Sequence, residues 1–300
     1  MIDQPKILVR LRSKAKNAVS RQLLRLLPDN LRRLPDNPYV PDMYLPYRAH
    51  ERSYMLLKSE DQGGERSGFP VPPDHLRTYL GFAKTPEIFL NTGREHVDIM
   101  KSILGKSGFS LESATRILDY GCGAGRMIRW LNDYAERCEV WGVDIQAELI
   151  IWCQQHLSPP FKFATVTTGP HLPFEDRSFD LIISGSVFSH IDDLADAWLL
   201  ELKRILQPGG MLYITVDDKY TIQTIINSDW GREFPEFLPL YDEKQKLGQI
   251  DFNMLCINRG YGATVFYDID YLKRHWGRFL DIISVTQDAW GPQTAILLKK

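Results

Sequence analysis

The ten residues 117–126, with the sequence ILDYGCGAGR, constrain the fold more than any other part of the chain. They join a short apolar run closed by an acid to a glycine-rich turn, and apolar residues at helical spacing follow. This order predicts a buried strand, a tight turn and a helix. Glycine suits such a turn because the backbone can adopt positive φ and approach a ligand closely, while the helix N-terminus offers unpaired N–H groups. The stretch therefore predicts a nucleoside-cofactor site.

The spacing of the glycines narrows the choice of cofactor. Gly121, Gly123 and Gly125 form the pattern G-x-G-x-G, and Arg126 stands where the dinucleotide fingerprint G-x-G-x-x-G has its last glycine. NAD and FAD are therefore disfavoured.

After the turn, strand and helix patterns alternate, which is typical of a parallel sheet covered by helices. Strands are predicted at residues 139–145, 161–167, 179–184 and 211–216, and helices at 192–206 and 269–276. Two last strands, 279–286 and 294–299, must pair antiparallel because their connection is too short for a crossover. The spacing of Thr92 and Glu95 resembles a capping box and predicts the start of a further helix. The fold class is α/β.

Composition and cysteine spacing indicate the cellular compartment and whether a metal site is expected. The chain has 300 residues and a net charge of -2, and its four cysteines show no C-x-x-C spacing. This argues against a zinc site or a redox motif, so no metal is expected, and it favours a reducing compartment. No apolar run reaches membrane-spanning length and no secretory signal is recognisable, so a cytoplasmic location is predicted.

The N-terminal part of the chain differs in character from the rest. Basic and aliphatic residues alternate over 7–27 and predict an amphipathic helix, which could lie on the inner face of an anionic membrane or pack against its own domain or a partner subunit. A proline-rich arm follows. We therefore divide the chain into an extension, 1–84, and a main domain, 85–300. An insertion at 217–267 without sustained period is predicted to be a lid over the acceptor.

Five ordered motifs of this chain resemble those of the class I S-adenosylmethionine (SAM)-dependent methyltransferases. They are ILDYGCGAG at 117–125, GVD at 142–144, LPF with SFD at 172–180, SVFSH at 186–190 and LKRILQPGG at 202–210. The resemblance covers roughly residues 85–300. It implies a doubly wound, mainly parallel seven-stranded sheet of the Rossmann-like methyltransferase type, with a C-terminal antiparallel pair and an N-terminal helical or irregular extension. It also implies SAM as the cofactor.

The resemblance assigns roles to individual residues. Asp119 would face the amino group of the cofactor and Asp144 its ribose hydroxyls, while a local turn acceptor and an N-cap are their respective structural alternatives. The other cofactor residues that it implies are Gly121, Cys122, Gly123, Gly125, Ile145 and Ser184. The acid that the family commonly uses for the adenine amine has no counterpart in TVTTG at 165–169.

His190 is the candidate general base, because it follows the fourth strand and an acceptor hydroxyl must lose a proton. The alternative is that His190 only shapes the pocket or caps a helix. A base favours oxygen over nitrogen as the acceptor atom.

The acceptor is predicted to be a small molecule, a sugar or a lipid-linked glycan. Nucleic acid is disfavoured because the main domain is acidic and the Asn/Asp-Pro-Pro-aromatic motif is missing. Two other functions stay open: a non-catalytic SAM-binding protein, and a binding protein recruited to a membrane through residues 7–27.

Overall fold

The computed structural model describes residues 68–77, 83–233, 237–238, 240, 251–257, 259–260 and 263–300. The predicted amphipathic helix at 7–27 and most of the arm lie outside the described residues. Membrane contact, the oligomeric state and the division between residues 84 and 85 therefore stay predictions. In the described part, no helix is long and apolar enough to cross a membrane.

A mixed sheet forms the centre of the structure. Its strands are β1 (Arg116–Tyr120), β2 (Glu139–Asp144), β3 (Lys162–Thr165), β4 (Phe179–Ser184), β5 (Leu206–Asp218), β6 (Met254–Ile257), β7 (Thr264–Tyr267), β8 (Asp281–Trp290) and β9 (Gln293–Lys299). The order is β3-β2-β1-β4-β5-β7-β6, and β9 pairs with both β5 and β8. Strands β1 to β5 run parallel, whereas β9 runs antiparallel to its two neighbours.

Helices cover both faces of the sheet. They are α1 (Asp74–Arg77), α2 (Pro86–Lys106), α3 (Asn132–Ala135), α4 (Ala147–His156), α5 (Ala195–Ile205), α6 (Lys219–Ile226) and α7 (Ile269–Trp276). Neighbouring strand residues point to opposite faces, so Ile117 packs in one core cluster with α2 and α4, while Leu118 packs in the other with α5 and α7. The predicted doubly wound α/β class, with its C-terminal antiparallel pair, is confirmed.

The sheet contains nine described strands instead of the seven predicted, because the insertion 217–267 supplies two of them. Strand β7 pairs parallel to the last two residues of β5, and β6 pairs antiparallel to β7. Helix α6 packs Ile222 and Ile225 into a separate cluster with Phe266 of β7. The described part of the insertion thus extends the sheet. That it also covers the acceptor stays a prediction.

The predicted helix start at Thr92 is wrong, because α2 begins about two turns earlier. Thr85 is the N-cap, its hydroxyl oxygen accepts the Ile88 N–H at 3.3 Å, and Pro86 occupies the first turn. Thr92 lies inside the helix and donates its hydroxyl to the Ile88 carbonyl at 2.7 Å. The spacing T-x-x-E does not by itself mark a cap, because the hydroxyl of a threonine inside a helix can donate to the carbonyl four residues earlier.

The helix predicted directly after the glycine turn is also different. A short 3-10 turn, Ile128–Leu131, comes first and leads into the four-residue α3. The Arg129 guanidinium donates to the Gly125 carbonyl at 3.0 Å. The carbonyl oxygen just before the 3-10 turn is therefore paired with a side chain.

Gly93 lies in the middle of α2 at the point where the helix meets the glycine turn. A Cβ there would come within 2.3 Å of the Arg126 carbonyl oxygen, whereas a Cβ at Gly105 of the same helix would meet nothing within 4 Å. We expect Gly93→Ala to lower the free energy of unfolding by about 1 to 3 kcal/mol, the usual cost of overpacking. Gly105→Ala, the matched control, should be neutral or stabilising by up to about 1 kcal/mol. Urea denaturation of both variants measures this, and equal effects would contradict it.

Candidate cofactor site

The glycine turn is fixed to the neighbouring strand by backbone hydrogen bonds. The N–H groups of Gly121 and Cys122 both donate to the Val143 carbonyl of β2, at 2.8 and 3.0 Å. Gly121, Gly123 and Gly125 adopt positive φ of 80°, 54° and 75°, which side chains rarely tolerate. The predicted turn after β1 is therefore present, and β2 determines its position.

The three glycines are needed for different reasons. A Cβ at Gly121 would lie 2.2 Å from Val187 Cγ2, and one at Gly125 would lie 2.3 Å from Leu157 Cδ1. These two positions are closed by packing. A Cβ at Gly123 would meet no described atom within 4 Å, so the backbone there faces open space that a ligand can approach.

Asp144 ends β2 directly beside the turn. Its Oδ2 accepts the Gly123 N–H and its Oδ1 accepts the Gln146 N–H, both at 2.9 Å. Each carboxylate oxygen has a second lone pair, so both can still accept a ribose hydroxyl. The alternative that Asp144 is the N-cap of α4 is wrong, because Gln146 holds that position. Burial raises the pKa of Asp144, although the backbone N–H groups that it accepts lower it in part.

Asp119 is buried with one carboxylate oxygen unpaired. Asp119 is only 3% exposed, and its Oδ2 has no hydrogen-bond partner in the described part of the chain. Burial raises its pKa to about 7, against an opposing effect of the Arg126 guanidinium and of a hydrogen bond from the Ile128 backbone. An ammonium group placed here would supply both the missing donor and a favourable charge. The alternative of a local turn acceptor accounts for the Ile128 bond but leaves Oδ2 unpaired.

The other predicted cofactor residues lie around the same edge. Asp119 of β1 pairs with Ile183 of β4, and Ser184 is the next and last residue of β4. The buried Oγ of Ser184 has no described hydrogen-bond partner. Cys122 is buried with its Sγ 3.6 Å from the Gly123 carbonyl oxygen. Ile145 is half-buried and packs on the core cluster that contains Leu118. The carboxyl ends of β1, β2 and β4 thus collect these residues, as expected for an open parallel sheet.

The catalytic candidate His190 lies on the short 3-10 turn after β4, Phe188–His190, and is exposed. Its Nδ1 is 2.9 Å from the carbonyl oxygen of Ala263, just before β7. A carbonyl oxygen only accepts, so Nδ1 must carry a proton, and Nε2 of the neutral ring is left with its lone pair.

Sequence reasoning missed a stacked group beside the glycine turn. The Arg126 guanidinium carbon lies 4.2 Å from the ring centroid of Trp290, and the His96 ring is stacked on the same indole at 4.3 Å. Trp290 in turn covers the loop after β4, because a Cβ at Gly185 would come within 2.1 Å of its ring. The one signal in the sequence that could have indicated this group is an arginine, Arg126, directly before the apolar residues Met127 and Ile128.

The fold and the site together define a Rossmann-like, nucleoside-cofactor-binding domain. The model of the family described as "Methyltransferase domain" matches residues 118–214, which run from β1 into β5. These residues are therefore a methyltransferase domain of the class I SAM-dependent type. The predicted class is confirmed, and SAM is the cofactor of that class.

Two curated relatives illustrate the similarity. The chain is 30% identical over 136 residues to the demethylmenaquinone methyltransferase of Lactiplantibacillus plantarum, covering 44% of this chain and 56% of the relative. It is 29% identical over 183 residues to the 2-methyl-6-phytyl-1,4-hydroquinone methyltransferase of a Synechocystis species, covering 59% and 51%. The chain thus spans only about half the length of these relatives.

Among solved structures, an S-adenosylmethionine-dependent methyltransferase from Clostridium acetobutylicum aligns with 75% of this chain and 96% of its own, at 14% identity and a TM-score of 0.49.

The described residues contain no group of three or more metal-binding side chains.

The raised pKa of Asp119 has a consequence for stability. The folded protein binds a proton at Asp119 up to about pH 7, whereas the unfolded chain releases it near 3.8. The folded state therefore holds more protons in this window, so Asp119 lowers the free energy of unfolding as the pH rises from about 4 to about 7. Asp119→Asn should gain stability over the parent across that window, by at most about 4 kcal/mol for a shift of about three units. Loss of the favourable charge beside Arg126 will reduce the gain.

Urea denaturation at several pH values measures the difference between variant and parent. Asp176→Asn is the control, because a hydrogen bond from Arg204 lowers the pKa of the exposed Asp176. Its stabilising effect is lost only as the pH falls through the acid range, so its difference should not change between pH 5 and 8. A constant Asp119→Asn difference over the same range would contradict the prediction.

Proposed function

We propose that the protein is a SAM-dependent methyltransferase that methylates an oxygen of a small molecule, a sugar or a lipid. The observation that carries the proposal is the unpaired Oδ2 of the buried Asp119. It lies at the end of the strand before the glycine turn, and the Gly123 N–H of that turn donates to Asp144. An unpaired buried carboxylate oxygen costs stability and suits a site that a cationic ligand completes.

The protein would hold the cofactor through three groups. Asp119 accepts from the amino group, Asp144 accepts from the ribose hydroxyls, and the backbone at Gly123 allows the close approach. When bound, SAM supplies an electrophilic methyl group on a sulfonium. The protein then has to hold an acceptor lone pair behind that group and exclude water.

Oxygen is favoured as the acceptor atom because of His190. The Ala263 carbonyl fixes the ring so that Nε2 can take a proton, which a hydroxyl must lose and a neutral amine need not. The names of the two relatives bear on the kind of acceptor and not on the acceptor atom: they name demethylmenaquinone and 2-methyl-6-phytyl-1,4-hydroquinone, which supports a small-molecule or lipid acceptor.

The first test compares cofactor binding and methyl transfer in one pair of variants. Asp144→Asn keeps the size of the side chain but loses its charge, and loss of a charged hydrogen-bonding partner should weaken SAM binding by about 1.5 to 3 kcal/mol in calorimetry. Asp180→Asn is the matched control: Asp180 is equally buried, at 9% exposed, accepts backbone N–H groups of Thr115 and Arg116, and lies at the opposite end of the sheet.

Both variants should lose some stability, but only Asp144→Asn should lose affinity. With methyl-labelled SAM and fractionated cell extracts, the parent should label a small-molecule or lipid fraction, and Asp144→Asn should label it only at raised SAM concentration. Tight SAM binding by the parent without labelling of any fraction would indicate a non-catalytic SAM-binding protein. Equal affinities of parent and Asp144→Asn would remove the assignment of Asp144.

The second test concerns His190. If its Nε2 takes the acceptor proton, His190→Ala should leave SAM affinity nearly unchanged and slow turnover of the labelled fraction by about 10² to 10⁴, the usual effect of a positioned base. His171→Ala is the comparison, because His171 is exposed and its Nδ1 lies 3.8 Å from Oε1 of Glu201 in α5. Near-parental turnover of folded His190→Ala, when methyl transfer limits the rate, would mean that His190 only lines the pocket.

A further inference from the structure

The amino-acid end of SAM carries a carboxylate as well as an ammonium group, and the site described so far provides only for the ammonium. We propose that Arg126 binds this carboxylate, and that Trp290 and His96 hold its guanidinium in position. The inference rests on the proposed function, because it requires the cofactor in this site.

Arg126 lies next to the glycine turn that the proposed cofactor would approach. It directly follows Gly125, the last glycine of the turn, and is only 3% exposed. Asp119 lies close enough that the guanidinium lowers the pKa of the carboxyl while the carboxylate raises that of the guanidinium. A carboxyl group and a guanidinium thus attract each other next to the turn. A zwitterionic α-amino acid needs this pair of opposite charges.

The guanidinium is held rigidly in this position. Its Nη1 lies 3.2 Å from the Thr92 hydroxyl oxygen and 3.1 Å from His96 Nδ1, and its plane is packed over the Trp290 ring. Since a guanidinium only donates, His96 Nδ1 must accept, so the imidazole is neutral. Burial, followed by the charge of Arg126, lowers the pKa of His96 to about 3, in agreement with that assignment. A fixed guanidinium loses little freedom when it binds a carboxylate.

The charge state of Arg126 makes an anion favourable here. Burial lowers its pKa to about 9, so it remains a cation at neutral pH although it is removed from water. A guanidinium can bind both oxygens of one carboxylate, so a carboxylate here would add to the attraction that the carboxyl of Asp119 already exerts on Arg126.

Arg129, one turn further along, shows what an arginine with a structural role does at nearly the same place. It is also buried, at 5% exposed, and packs over the Phe89 ring. Its Nε donates to the Gly125 carbonyl at 3.0 Å and its Nη2 to the Pro70 carbonyl at 3.1 Å, so it fastens two backbone segments. The competing explanation is that Arg126 likewise only fastens α2 to the turn. A ligand comparison separates the two explanations.

The experiment measures binding of three nucleosides to the full chain by calorimetry. S-adenosylhomocysteine carries both charged groups, its decarboxylated analogue keeps only the amine, and methylthioadenosine has neither. In the parent we expect S-adenosylhomocysteine to bind roughly 10- to 100-fold more tightly than the decarboxylated analogue, as for a charged hydrogen bond. Arg126→Met, which keeps an apolar stem against Trp290, should abolish this difference while methylthioadenosine affinity stays within about twofold.

Arg129→Lys is the control variant. If it changes affinity at all, it should change that of all three nucleosides by the same factor. Arg126→Met losing affinity for all three nucleosides equally would overturn the proposal in favour of a structural tether. If Arg126→Met does not fold, the parent and Arg126→Lys are compared instead. Equal affinities of the parent for S-adenosylhomocysteine and its decarboxylated analogue would overturn the proposal. A clear preference of the parent for S-adenosylhomocysteine that Arg126→Lys reduces would support it.

Failure of the proposed function gives a different result. In that case the parent binds none of the three nucleosides, methylthioadenosine included. Binding of methylthioadenosine without a preference for the carboxylate leaves the cofactor site standing and rejects only the role of Arg126.

Discussion

The site depends on one carbonyl oxygen, that of Val143, which accepts the N–H groups of both Gly121 and Cys122. Two donors on one acceptor clamp the turn after β1 to the end of β2. The next residue of β2, Asp144, then takes the Gly123 N–H, so turn and strand are joined at two successive positions. Because of these bonds, the acids that end β1 and β2 have fixed places relative to each other. A cofactor site that uses both acids needs this rigidity.

Burial of charge at this edge is costly without a ligand. Desolvation raises the pKa of Asp119 and lowers that of Arg126, and their mutual attraction offsets part of both costs. A buried polar atom without a described partner, such as Oδ2 of Asp119, is common in binding sites, where selection accepts lower stability in return for function. The open space at Gly123, between packed Gly121 and Gly125, indicates where such a ligand would enter.

Elements with strong local patterns could be predicted from the sequence. The strand Phe179–Ser184 and the helix Ile269–Trp276 have the predicted bounds, since a short, mainly apolar run marks the first and the N-cap Asp268 marks the second. Strands β6 and β7 were missed because four residues each are too short to show a period. The start of α2 was misplaced because Thr85 and Thr92 both precede helix-forming residues, and the hydrogen bonds of the two hydroxyls show that Thr85 is the cap and that Thr92 lies inside the helix.

The sequence by itself determined the α/β class, the glycine turn and the two acids at its sides, because all of these are local patterns with a direct physical cause. Only the tertiary structure brought Arg126, His96 and Trp290 together. Their stacking depends on the hairpin of β8 and β9 lying beside β5 and on α2 crossing the turn, and residues so far apart in the chain leave no common pattern. The tautomer of His190 was decided in the same way, because its partner carbonyl belongs to the segment before β7.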